Sequence, residues 1–130
     1  MRTIIAGSRG ITDYAVVEEA VRASGFTPTV VLSGAARGVD RLGERWAREH
    51  DVLCQCHPAP WKEMGRRAGL LRNEVMAGMA DALIAIWDGE SRGTKHMIET
   101  ALAKGLTVYV HDVRPAPDHP REERREDGPR

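Results

Sequence analysis

Arginines set into glycine-bearing turns are the residues of this chain best suited to chemistry. The three segments are Gly7-Ser8-Arg9-Gly10, Ser33-Gly34-Ala35-Ala36-Arg37-Gly38 and Asp88-Gly89-Glu90-Ser91-Arg92-Gly93-Thr94. Small residues let a ligand approach the backbone closely, free N–H groups at helix starts attract anions, and an arginine fork grips phosphate with two hydrogen bonds. The chemistry implied is recognition of a phosphate-bearing small molecule. Arg37 is suited to the phosphate itself. Asp40 opens the following helix and either accepts a ribose hydroxyl or merely caps that helix. Gly93-Thr94, with Lys95 just inside the next helix, forms a further anion cradle, and Asp88 is a second acceptor for hydroxyls. Arg72-Asn73 stands on a separate helix, where Arg72 reads either as a ligand contact or as a surface ion pair. Trp61 is a candidate cover for a base, and Trp61 and Trp87 are the candidate stacking platforms for a nucleic-acid strand, or else core or rim. Glu99 lies over one turn beyond Thr94 and reads as facing solvent.

The elements that must position these groups follow from periodicity. Each turn comes after an apolar run, at residues 3–6, 29–32 and 82–87, and precedes helical spacing. Further strands are expected at 52–56 and 106–110. Helices are expected at 14–24, with Asp13 as cap and Gly25 as stop, then at 39–50, 70–80 and 94–104. In the second of these, Val39, Leu42, Trp46 and Ala47 form the inward stripe while Arg41, Glu44, Arg45 and Arg48 point outward. Pro58 and Pro60 force an extended segment, and 61–67 reads as irregular or a short helical turn. Alternating strands and helices predict an α/β domain, doubly wound around about five parallel strands in the order 3-2-1-4-5. All strand-to-helix turns then leave one edge of the sheet and meet in a crevice between strands one and four.

Bulk composition narrows the partners. The 130 residues carry 19 basic and 19 acidic side chains, which argues against nucleic-acid binding driven by net charge but leaves room for a local basic patch. The domain is expected over 1–111. Residues 112–130 hold four of the seven prolines and alternate arginine with acids, so a disordered tail is expected there. Without a secretory signal or a bilayer-length apolar run, a cytoplasmic protein is expected. Cys54 and Cys56 share one face of a strand and are expected to be buried, inert thiols; no metal site and no cofactor is expected from them or from the rest of the chain. The GxGxxG dinucleotide fingerprint and the GxxxxGK[ST] phosphate loop are both missing.

Four segments together closely resemble the SLOG superfamily, and within it the small single-domain YspA/YpsA-related branch. They are Ile4-Ile5-Ala6-Gly7-Ser8-Arg9, Leu32-Ser33-Gly34-Ala35-Ala36-Arg37-Gly38-Val39-Asp40, Ala68-Gly69-Leu70-Leu71-Arg72-Asn73 and Asp88-Gly89-Glu90-Ser91-Arg92-Gly93-Thr94-Lys95-His96. The resemblance implies a Rossmann-like three-layer fold and a nucleotide or nucleotide-derived ligand: a mononucleotide, an ADP-ribose-like compound or a cyclic nucleotide. It also implies a homodimer, for which the helix at 70–80 with Met64, Met76 and Met79 offers an apolar surface. Gly7, Ser8, Arg9, Ser33, Gly34, Arg37, Gly38, Asp40, Trp61, Arg72, Asn73, Asp88, Gly89, Ser91, Gly93, Thr94 and Lys95 are the expected ligand contacts. Two kinds of relative imply alternatives. The Lonely Guy phosphoribohydrolases cleave nucleoside monophosphates, and Arg72-Asn73-Glu74-Val75-Met76 is similar to their Arg-Lys-x-x-Met helix. That makes Arg72, Asp88 and Glu99 the candidate catalytic groups, but Met97 stands three places after Thr94, where that family carries its catalytic glutamate. DNA-processing relatives of the DprA kind imply single-stranded DNA, with Arg9, Arg37, Arg41, Arg66, Arg67, Arg72 and Arg92 along a backbone groove.

Overall fold

The computed structural model of the chain describes residues 1–114, so the expected tail lies outside the described residues from position 115 onward. Short β-branched and aliphatic runs make the strands: β1 (Arg2–Gly7), β2 (Val30–Ser33), β3 (Leu53–Cys56), β4 (Ala82–Trp87) and β5 (Thr107–Asp112). All adjacent pairs are parallel and the order is β3-β2-β1-β4-β5. The reversal of winding falls between β1 and β4, where the chain crosses from one face of the sheet to the other.

Both faces of the central strands are apolar because helices cover both. Ile5, Val31, Ile84 and Ile86 point to one side and pack under α1 (Tyr14–Ser24) and α2 (Val39–Glu49). Their neighbours Ile4, Ala6, Leu32, Leu83 and Ala85 point to the other side, against Met76 and Ala77 of α4 (Ala68–Met79) and Met97 and Ala101 of α5 (Arg92–Ala103). A four-residue helix, α3 (Trp61–Met64), and a 3₁₀ turn over Gly65–Arg67 lead into α4. Local capping sets the helix ends as the sequence implies: Asp13 accepts from Ala15 N at 3.0 Å, and Gly25 closes α1 with φ of 71°.

Several expectations need correction. Helix α5 begins at Arg92, two residues early, because the Ser91 side chain caps it by accepting from Thr94 N at 3.3 Å. Glu44 does not face outward. Its side chain is only 14 % exposed, and its Oε2 accepts the Ser33 hydroxyl at 2.6 Å. The two cysteines are exposed, not buried: β3 is an edge strand, and Leu53 beside them is 73 % exposed. An alternating pattern of apolar residues cannot by itself say whether a strand lies at the centre of a sheet or at its exposed edge. Met76 is core, 1 % exposed, whereas Met64, Leu70, Val75 and Met79 stay on the surface.

Candidate functional site

The strand-to-helix turns meet at one edge of the sheet and enclose a cleft of about 460 Å³. Its walls include Gly7, Ser8, Arg9 and Gly10 after β1, Asp40 of α2, and Arg72, Asn73 and Met76 of α4. Asp88, Ser91, Gly93, Thr94 and Met97 close it from the β4–α5 side. A second recess of about 330 Å³ adjoins it, bounded by Gly34, Ala35, Ala36, Arg37, Pro58 and Ala59. Arg9, Ala36, Trp61 and Arg72 line both.

The first turn is held by Ser8, which is 1 % exposed. Its N–H donates to Ile86 O at 3.1 Å, its carbonyl accepts from Ile11 N and Val39 N, and its hydroxyl accepts from Asp88 N at 3.2 Å. Ser8 thus ties β1, α2 and the end of β4 together, and its polar atoms are already engaged. Among the described residues the Arg9 and Gly10 amides have no protein partner, so they are free for an anion. Gly38 lets α2 start here: at φ of 77°, its missing Cβ would otherwise meet the carbonyl oxygens of Ser8 and Arg9 at 2.5 Å.

The second turn is built around Asp40. The sequence left open whether this residue caps α2 or meets a ligand. It is not the cap, because Gly38 occupies that position. Instead its Oδ2 reaches back to accept Ala36 N at 3.1 Å, and the residue is only 6 % exposed. Burial pushes its carboxyl up to about 6, against the lowering pull of the Ala36 amide and the Arg72 and Arg9 guanidiniums. Ser33 lies beneath the loop, accepting Ala35 N at 3.0 Å, which holds Ala35 at φ of 61°. That is a left-handed conformation unusual for a residue with a Cβ.

Arg72 crosses from α4 to this loop. Nη1 donates to Gly34 O at 2.5 Å and to His57 O at 3.4 Å, and Nε donates to Asn73 Oδ1 at 3.0 Å. The side chain is therefore a cleft wall and not a surface ion pair. A Cβ added at Gly34 would lie 2.7 Å from both the Arg72 guanidinium carbon and Asp40 Oδ2, so only glycine admits the pair there. Burial lowers the guanidinium from its ordinary value, and nearby Arg9 adds to that. Nη2 has no hydrogen bond among the described residues. Asn73, 5 % exposed, continues the network by donating to Gly93 O at 3.3 Å.

The third turn is more self-contained than the sequence suggests. Asp88 Oδ1 accepts Glu90 N at 2.8 Å and Ser91 N at 2.9 Å, which holds its carboxyl below the ordinary value. Trp87 Nε1 donates to Ser91 O at 3.1 Å, so this tryptophan braces the turn. The Thr94 amide is taken by Ser91, leaving the start of α5 to offer its earlier amides. Trp61 stands 50 % exposed at the mouth, against Gly69.

The fold brings together Gly7, Ser8, Arg9, Asp40, Trp61, Arg72, Asn73, Asp88, Ser91, Gly93 and Thr94 in the main cleft, with Gly34 and Arg37 in the recess. Four expected contacts, one candidate catalytic group and Arg92 of the expected backbone groove line neither space. Ser33 and Gly38 are structural; Gly89 lies against the Arg114 side chain; Lys95, Glu99 and Arg92 are exposed along α5 and line neither space. Met97 takes the inward position that a glutamate occupies in the hydrolase pattern, and it is 1 % exposed. Cleft and recess groups that were not among the expected contacts include Gly10, Ala36, Pro58, Ala59 and the His57 carbonyl that holds Arg72. Backbone groups and small residues carry no side-chain signal, so spacing alone could not reveal them.

The family model of the YspA, cpYpsA-related SLOG family matches residues 1–64. The Gene 61 protein of Mycobacterium phage D29 is 34 % identical over 123 residues, covering 88 % of this chain and 98 % of that protein. Among solved structures, the X-ray structure of DNA processing protein A (DprA) from Streptococcus pneumoniae is similar with a TM-score of 0.64 at 18 % identity. The match covers 84 % of this chain and 49 % of that one, so the chain spans about half the length of DprA. At that identity the likeness shows the fold alone.

Proposed function

We propose that this chain, which belongs to the YspA, cpYpsA-related SLOG family, is a binding or sensing protein for a nucleotide or nucleotide-derived ligand. One observation carries the reading: two guanidiniums, Arg9 and Arg72, and the open amides after β1 converge over the buried Asp40 at the switch point of a parallel sheet. Phosphate would sit on Arg9, Arg72 and those amides. Asp40 would accept a hydroxyl, and Trp61 would cover a base. Thermal-shift and calorimetric titration with AMP, ADP, ADP-ribose and cyclic nucleotides tests this. Stabilisation by one or more of them is expected, lost in Arg72→Met; no response to any member of the panel would refute it.

A phosphoribohydrolase is the weaker reading. Oxocarbenium formation needs a carboxylate beside the sugar. The inward site holds Met97, Glu99 is exposed, and Asp88 is occupied by two amides. Incubation with AMP is therefore expected to release no adenine. Release that disappears in Asp88→Asn or Glu99→Gln, with folding intact, would reverse the preference. Single-stranded DNA is a third reading, supported by the DNA-processing DprA likeness and by Arg9 and Arg37 at the rim. It requires oligonucleotide affinity that falls steeply with salt. Self-association through the exposed Val75 and Met79 of α4, one turn apart on the same face, is a separate proposal, read by light scattering on the full chain. So is a cytoplasmic location; among the described residues no helix is long and apolar enough to cross a membrane.

A further inference from the structure

Cys54 and Cys56 take no part in the cleft, the recess or either core cluster. They stand exposed on β3, at the open edge of the sheet. Register sets them opposite Val31 and Ser33 of β2, so both thiols project from the sheet face that carries α2, while Leu53 and Gln55 project from the other. Two residues of extended strand span about 6.6–6.8 Å. A disulfide needs its Cβ atoms roughly 3.5–4.5 Å apart, so the pair cannot close on itself while β3 keeps its pairing with β2. Two sulfurs joined through one metal ion, at about 2.3 Å each, stand about 4.6 Å apart, and each side chain then leans inward by only about 1 Å.

The surroundings select the ion. Thiolates are soft ligands that favour Cu(I) over hard cations. Structural zinc asks for a closed set of four ligands, and among the described residues no group of three or more His, Cys, Asp or Glu is placed to hold a metal. Glu44 of α2 is already engaged: its Oε2 accepts the Ser33 hydroxyl at 2.6 Å and its Oε1 accepts Arg41 Nη1 at 3.1 Å. A monovalent d10 cation is satisfied by two thiolates. The resulting complex carries one negative charge, and Arg48 and Arg41 lie within electrostatic reach of Cys54 and Cys56 respectively, offsetting both that charge and Glu44.

We propose that Cys54 and Cys56 form a surface chelate for one thiophilic monovalent cation of the Cu(I) and Ag(I) class. Two S–H bonds break, two metal–sulfur bonds form, both protons pass to solvent, and no electron is transferred. Because neither thiol lines the cleft, this site and the nucleotide reading stand or fall separately.

Anaerobic titration of the full chain with Ag(I) in chloride-free buffer, followed by native mass spectrometry, tests the chelate; one ion per chain is expected. Competition against bicinchoninate then gives the Cu(I) affinity. Cys54→Ser and Cys56→Ser should each lower it at least ~100-fold, the gain that tethering a second ligand provides. Both positions are exposed, so serine fits without repacking, and thermal melts of the metal-free variants are expected to match the native chain. Two ions per chain, one ion bridging two chains, or a serine variant that holds Cu(I) as tightly as the native chain overturns the proposal. Retention of Zn(II) in preference to Ag(I) does so too. So does an intrachain disulfide formed with stoichiometric diamide, read as a mass loss of two hydrogens with the circular-dichroism spectrum unchanged.

Discussion

Replacing Asp40 by Asn is expected to stabilise the protein at neutral pH while damaging its site. Asp40 is 6 % exposed, and its carboxyl stands at about 6 against an ordinary 3.8. Burial is the largest cause, outweighing the Ala36 amide and the Arg72 and Arg9 guanidiniums. Because the folded state holds this proton more tightly than the unfolded chain does, Asp40 favours folding most below the unfolded value, near pH 4. That contribution is lost as pH rises through about 6. The displacement corresponds to about 3 kcal/mol, at 1.36 kcal/mol for each tenfold change in proton affinity. Asparagine keeps an oxygen to accept Ala36 N and carries no charge to desolvate. Asp40→Asn should therefore gain up to ~3 kcal/mol at pH 8, a rise in Tm on the order of 10 °C for a domain of this size, and only ~1 kcal/mol at pH 4.5, where the unfolded carboxyl is already mostly ionised. Urea denaturation of both proteins at several pH values between 4.5 and 8 measures it. A gain that is equal at every pH, or a loss at pH 8, would refute the idea that an unneutralised buried carboxylate is being held in the cleft. Nucleotide affinity should fall in the same variant, which is the usual sign of a charge retained for binding at a cost in stability.

Three further outcomes follow from particular contacts. Gly34→Ala should lower nucleotide affinity at least ~10-fold, or about 1.4 kcal/mol, with a folded circular-dichroism spectrum, because its Cβ meets the Arg72 guanidinium and Asp40 Oδ2 at 2.7 Å. Ala35→Gly should raise stability by ~0.5–1 kcal/mol in urea melts, since relief of a left-handed alanine exceeds the entropy glycine adds to the unfolded chain. Cys54 should react with iodoacetamide at pH 8 at least ~10-fold more slowly than a free thiol despite its exposure. The reason is that local desolvation and the neighbouring Cys56 push the Cys54 thiol up to about 12; stopped labelling with mass readout gives the rate.

Much of this molecule was legible in its residues, and the reason is local. Alternation of Ile4, Ile5 and Ala6, or of Leu83, Ile84 and Ala85, places apolar side chains on both faces of a strand, and only a parallel sheet covered twice satisfies that. Asp13, Gly25 and the turn glycines act within a few residues of where they stand. The strand order and the meeting of the turns at one edge then follow from topology. What tertiary structure alone decided are the properties that depend on distant neighbours. Whether Asp40 caps a helix or lies buried depends on Ala36, Arg9 and Arg72, and whether Arg72 faces solvent depends on the carbonyls of Gly34 and His57. The exposure of Cys54 and Cys56 depends on β3 having no strand beyond it. Identity and spacing determine backbone geometry because those forces reach one turn of chain; solvation and charge are set by whatever the fold brings alongside, and no short window of residues contains that.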